Sequence, residues 1–199
     1  MWHADRGLPR ESSLLNGAKL PAAGRSPRSS GTSARGAART ATRQDGFLSP
    51  VIVVVVTAQA AGEFRRTPLE RSDQRVAWAR SDQAFFAAGA CHLLSVVCRA
   101  VYPERSLDLA AVRLAGDESV FRTYATWNGW AFDHSGWNPE SELLAVNEEF
   151  DGHPLERIHV ALGLAEFCEQ HNHRMPNQYW RDPLPRAHEY VGRYAPPWA

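Results

Sequence analysis

A thiol becomes a nucleophile when it ionises near neutral pH, and one position in this chain has neighbours suited to that. Cys91 is preceded by the small residues Gly89 and Ala90 and followed by His92, at the head of an apolar helical run. A helix N-terminus and a nearby imidazole both favour the thiolate, and small residues before the sulfur let a substrate approach. Some forty residues on, His134 offers a general base, and Asp133 beside it offers an orienting carboxylate. Cys91, His134 and Asp133 are therefore the candidate catalytic residues, for a hydrolase or acyltransferase acting on an amide or thioester. The plainer reading is an inert buried thiol and a satisfied histidine at the edge of the core.

A second cluster, Cys168, His171 and His173, has the form C-x-x-H-x-H. Thiolate with imidazole suits zinc, but a strong zinc signature has a second spaced pair, and only the scattered His153, His159 and His188 are left to complete one. These histidines serve equally well as cations at the negative end of a helix. No metal and no cofactor is assigned. Trp127, Trp130, Trp137 and Trp180, with Tyr124 and Tyr179, supply enough aromatic surface for a stacking groove, and Tyr124, Arg122 and Trp130 are the candidate binding residues. That surface supports the rival function, a non-catalytic binding domain whose contact surface is an aromatic hairpin. Neither a phosphate-binding glycine loop nor a Gly-x-Ser-x-Gly elbow occurs.

The elements that must position these residues follow from periodicity. Phe85, Phe86, Cys91, Leu94, Val97, Cys98 and Val101 recur at helical spacing from Asp82 until Pro103. Residues 107–114 read as a strand. Residues 120–127 and 130–134 flank Asn128-Gly129, the dipeptide preferred in type I′ hairpins because both positions tolerate positive φ. A two-residue turn sets Trp127 opposite Trp130 and Ala125 opposite Phe132 on the core side, with Thr126 opposite Ala131 and Tyr124 opposite Asp133 on a more polar side. Asn138-Pro139-Glu140 reads as a capped helix start, residues 155–162 as a strand, 164–171 as a helix, and Asp182-Pro183 as the opening of a last helix. The fold class is α+β: a small antiparallel sheet with a central β-hairpin, covered by helices on one face.

A cysteine that opens a helix packed against an antiparallel sheet bearing a histidine resembles the papain-like superfamily, which includes NlpC-type peptidases and transglutaminase-like proteins. The resemblance covers about residues 85–137 and implies the Cys91 and His134 roles given above. The order here is Cys, Asp, His, where the transglutaminase-like order is Cys, His, Asp.

Of the 199 residues, 44% are hydrophobic and 10% aromatic, enough for one real core. The net charge of zero hides an asymmetry, because residues 1–46 hold eight Arg or Lys against three acids and the rest hold fourteen against nineteen. Residues 1–46 read as a disordered arm rich in Arg, Ser, Ala and Gly, 47–80 as an apolar segment and charged linker, and 81–199 as the domain. An acidic body without a basic stripe argues against nucleic acid as partner, and the apolar run at 47–57 is shorter than the ~20 residues that span a bilayer, so no membrane partner is expected either. The expected partner is a small-molecule or peptide ligand. Three cysteines without scaffold spacing point to a reducing cytoplasm. Export is the alternative if translation starts further downstream, since Ala58-Gln59-Ala60 resembles a signal cleavage site.

Overall fold

The computed structural model of the chain describes residues 57–199. The basic arm and the apolar run up to residue 56 lie outside the described residues. The chain after residue 57 is an α+β domain built on a five-stranded antiparallel sheet.

Two short helices come first, α1 (Pro68–Ser72) and α2 (Gln74–Trp78). Each has its own cap: Thr67 and Glu70 form a capping box on α1, and the Asp73 carboxylate accepts from the amides of Arg75 and Val76. This segment had read as a linker, yet it is part of the fold. Ala58, Ala60 and Ala77 are buried, the Ala61 amide donates to Asn147 Oδ1 at 3.1 Å, and Arg80 reaches the Phe64 carbonyl at 2.6 Å. Arg-rich composition hid the packing, because Arg80 and Arg71 satisfy the backbone carbonyls of Phe64 and Arg66.

The helical run from Asp82 is two helices, α3 (Asp82–Ala87) and α4 (Cys91–Val101), where periodicity predicts one. Gly89 sits between them at φ 144°, a backbone conformation that residues with a side chain rarely adopt. That break creates a fresh helix N-terminus at Cys91. Leu94, Val97 and Cys98 of α4 then face the core with Phe85 and Phe86 of α3. Full burial of each large apolar side chain is worth about 1.5–3 kcal/mol.

The sheet comprises β1 (Asp108–Leu114), β2 (Arg122–Trp127), β3 (Trp130–Asp133), β4 (Gly136–Pro139) and β5 (Leu155–His159), in the order β4-β3-β2-β1-β5. Trp127 pairs with Trp130, Thr126 with Ala131 and Ala125 with Phe132, around Asn128 and Gly129 at φ 47° and 80°. The Asn-Gly hairpin is therefore formed in the expected register. A further strand follows: His134 and Ser135 make a second tight turn, Asp133 pairs with Gly136, and β4 runs back along β3. Asn138 lies in β4 and does not cap a helix; its amide group donates to Ser135 Oγ at 3.2 Å.

Helix α5 (Glu140–Asp151) corrects the expected one-sided coverage. Its Leu143 packs with Ala110, Val112, Tyr124 and Ala131, which form the second face of the sheet. The first face, with Leu109, Ala111, Ala125 and Phe132, is covered by α4, α6 (Leu164–Gln170) and α7 (Leu184–Val191). Helices thus lie on both faces, and the supposedly polar face of the hairpin is interior. Arg186 of α7 ties the molecule together, bonding Asp82 at 2.6 Å and the carbonyls of Trp78 and Arg80 at 2.8 and 2.7 Å. None of the described helices is long and apolar enough to cross a membrane.

Candidate active site

Cys91 is the first residue of α4, and the residue at the cap position is Ala90, which has no side-chain acceptor to offer. The intrahelical ladder begins with the Leu93 and Leu94 amides, both donating to the Ala90 carbonyl at 3.1 Å. The amides of Cys91 and His92 precede it and belong to the group of N-terminal donors that a helix leaves without internal partners. Their dipole end favours negative charge at the Cys91 sulfur.

Two imidazoles meet that sulfur. One ligand atom each of Cys91, His92 and His173 lies within 4.8 Å of the other two. Backbone carbonyls set both rings: His92 Nε2 donates to the Arg174 carbonyl at 2.8 Å, and His173 Nδ1 donates to the His171 carbonyl at 2.8 Å. His92 Nδ1 and His173 Nε2 are left as the nitrogens available to the thiol, and the buried His92 Nδ1 has no hydrogen-bond partner among the described residues. The two rings meet edge to face at 4.7 Å, with Phe167 of α6 packed against both.

Burial alone would push the Cys91 thiol up, but His173 and then His92 hold it well below the usual thiol range. His173 answers in kind. Burial disfavours its charge, yet the facing sulfur raises it above the ordinary imidazole value. Each group thus favours the charged form of the other. The other two cysteines behave as plain buried thiols, with burial pushing both Cys98 and Cys168 upward.

A cavity of about 310 Å³ leads to this pair and is lined by Arg65, Arg66, Arg71, Phe121, Cys91 and His173 among others. The same three ligand atoms suit a borderline-soft divalent ion. Cys with two His is a zinc-compatible set, and each ring donates its other N–H to a carbonyl, as ligating histidines do.

Asp133 and His134 do come together, but not with Cys91. His134 Nδ1 lies 2.8 Å from Asp133 Oδ2, which also accepts from Arg122 Nη1 at 2.8 Å. The Ser135 amide and hydroxyl donate to Asp133 Oδ1 at 2.8 and 2.6 Å. Burial opposes ionisation of Asp133, but His134, and after it Arg122 and Ser135, hold the carboxyl down at about 2. The Tyr190 hydroxyl donates to the His134 carbonyl, and Phe64 stands edge-on to the His134 ring at 5.2 Å. The imidazoles at Cys91 are those of His92 and His173, so the expected Cys91–His134 pairing gives way to a Cys91–His173 pairing.

The candidate binding residues are also dispersed. Arg122 and Tyr124 are buried at 2% and 0% exposure, Tyr124 beneath α5, and burial followed by Glu140 pushes its hydroxyl up. Trp130 is 37% exposed at the hairpin tip on the opposite side of the ribbon. Most of the expected aromatic surface is internal packing: Trp127 and Trp137 both meet Trp198 edge to face, at 4.7 and 5.2 Å.

His173 was visible in the sequence only as the end of C-x-x-H-x-H. The fold divides that motif: Cys168 Sγ turns to the Arg174 carbonyl at 3.6 Å, while His173 reaches Cys91. No family model, no curated protein and no solved structure matches the chain.

Proposed function

We propose that the domain is a cysteine-dependent hydrolase or acyltransferase acting on an amide or thioester, with Cys91 as nucleophile and His173 as its acid and base. The observation that carries this reading is the state of one thiol among three: Cys91 alone sits at a helix N-terminus, faces two imidazoles, borders a cavity and is held well below the thiol range. It is a proposal within the papain-like style of chemistry, with the histidine taken from the loop after α6 instead of the end of β3.

In the first half-reaction the Cys91 thiolate attacks the carbonyl carbon, forming an S–C bond. The carbonyl oxygen takes the negative charge beside the free amides of Cys91 and His92, and one such donor is typically worth about 10²–10³ in rate. The tetrahedral species collapses, the C–N or C–S bond breaks, and the His173 imidazolium gives its proton to the leaving amine or thiolate. Water or a second nucleophile then attacks the acyl-enzyme, with His173 Nε2 taking the proton, and releases the product with the thiolate restored. Acid–base transfer by a positioned imidazole adds about 10²–10⁴. The carbonyl of His171 holds the ring so that Nε2 faces the sulfur throughout. Three free cysteines and a working thiolate suit a reducing cytoplasm.

Alkylation of the native protein by iodoacetamide, read by peptide mass spectrometry, tests this. Cys91 is expected to react stoichiometrically and at least tenfold faster at pH 7 than Cys98 or Cys168. Equal and slow reaction at all three would remove the nucleophile.

A further inference from the structure

The cavity in front of Cys91 has an electrostatic character of its own. Three of its lining residues are Arg65, Arg66 and Arg71, and the residue after His173 is Arg174. Only part of this charge is compensated. Arg65 lies 3.3 Å from Asp151, and the adjacent Arg80 lies 3.2 Å from Glu70, but Arg66, Arg71 and Arg174 take part in no ion pair among the described residues. Burial, and next to it Arg174, Arg80 and Arg71, disfavour the charge on Arg66. A half-buried guanidinium crowded by other guanidiniums gains from any anion that enters.

The geometry holds Arg66 against the backbone that leads into Cys91. A Cβ at Gly89 would lie 3.5 Å from Arg66 Cζ, so the guanidinium rests on the bare backbone two residues before the nucleophile. Arg71 Nε donates to the Arg66 carbonyl at 3.0 Å, which ties α1 to the same wall. The Gly89 carbonyl is occupied by the Tyr179 hydroxyl at 2.6 Å and does not neutralise the arginine.

We propose that Arg66 and Arg71 form an anion subsite of the Cys91 centre, so that the acyl substrate carries a carboxylate or phosphate group beside its scissile amide or thioester. The proposal rests on Cys91 being the nucleophile. Guanidinium groups bind both anions in forked, charge-assisted hydrogen bonds, and a cavity of about 310 Å³ admits a small molecule or the end of a peptide. The mild negative charge of the rest of the body would turn such a substrate away, so the arginines also set where it can dock.

Two alkylating agents of nearly the same shape separate the subsite from the nucleophile. Iodoacetamide is neutral and iodoacetate is an anion; both form an S–C bond with the thiolate and release iodide. A solvated thiolate such as that of glutathione prefers the neutral reagent. At Cys91, at pH 7 and low ionic strength, iodoacetate is expected to be favoured at least tenfold relative to the glutathione ratio. Arg66→Gln and the exposed Arg71→Gln, tested singly with a thermal melt to confirm folding, should each lower that preference, as should 0.5 M salt at about a 4 Å screening length. A Cys91 ratio matching that of glutathione, or one that both arginine variants leave unchanged, overturns the subsite while leaving a fast reaction with iodoacetamide intact. Slow reaction with both reagents overturns the nucleophile and the subsite together. Inorganic phosphate and acetate at equal ionic strength then distinguish the anion: the one that belongs to the substrate slows iodoacetate alkylation at the lower concentration.

Discussion

At the end of β3 the Asp133 carboxylate is surrounded by Arg122, His134 and two donors from Ser135, all buried, with nothing left for a ligand to add to its oxygens. At the head of α4, by contrast, Cys91 faces two imidazoles whose outer nitrogens are anchored, while His92 Nδ1 goes unpartnered and a cavity opens on the far side. Both clusters combine a potential anion with histidine. The first is sealed from solvent, with Arg122 Nε and Nη2 and His134 Nε2 left without partners among the described residues but facing no opening; the second carries its unpartnered nitrogen beside a cavity. In this fold the histidine next to an acid lies in a sealed cluster, whereas the histidines next to the uncapped helix end border a cavity.

The comparison can be broken most decisively at Asp133. Asp133→Asn leaves the Arg122 charge buried with a neutral partner and is expected to cost about 3–5 kcal/mol in denaturant melts, whereas Cys91→Ser should cost less than about 1 kcal/mol. Equal losses would remove the distinction between a structural and a chemical cluster. Acid sharpens it next. The Asp133 carboxyl lies below its unfolded value, so its stabilisation is complete above the unfolded pKa near 4 and is lost as pH falls through about 2. The loss is on the order of 2 kcal/mol, and Asp133→Asn should flatten that part of the acid-unfolding curve.

His173→Ala probes the other cluster. Without that imidazole the Cys91 thiol should return toward the ordinary range, so that alkylation at pH 6.5 slows about tenfold or more with the melting temperature little changed. In the native protein the rate should hold as pH falls from 8 to 6, where an unperturbed thiol loses about tenfold per unit; a native rate that tracks an unperturbed thiol would dissolve the ion pair. The smallest effect is expected at Gly89→Ala. Its φ of 144° strains any side chain, at a cost of about 1 kcal/mol, and the shifted start of α4 should weaken the reactivity of Cys91 more than the stability of the domain.

Much of the scaffold is legible in single residues. Asn128-Gly129 specifies a hairpin because its two positive φ angles are costly for most other pairs, and the Trp127–Trp130 register follows from a two-residue turn. The strand at β5 and the helix at α6 are visible in apolar spacing. The short β4 is not, because Asn138-Pro139 carries the local chemistry of a helix cap, and only the closing of the His134–Ser135 turn commits the Asn138 amide elsewhere. The segment at 57–80 is hidden for a related reason: Arg71 and Arg80 read as solvated charge until the Arg66 and Phe64 carbonyls they satisfy are in view.

What the sequence by itself determined is an α+β chain with a hairpin at Asn128-Gly129 and a cysteine placed after small residues where a helix can begin. Which histidine meets that cysteine was decided only by tertiary structure. Local periodicity reports which face of an element is apolar; it carries no record of which distant loop will cross the end of that element. His173 reaches Cys91 because α6 and the loop after it pack against α4, while the hydrogen-bonding demands of a buried Arg122 commit His134 and Asp133 to the sheet.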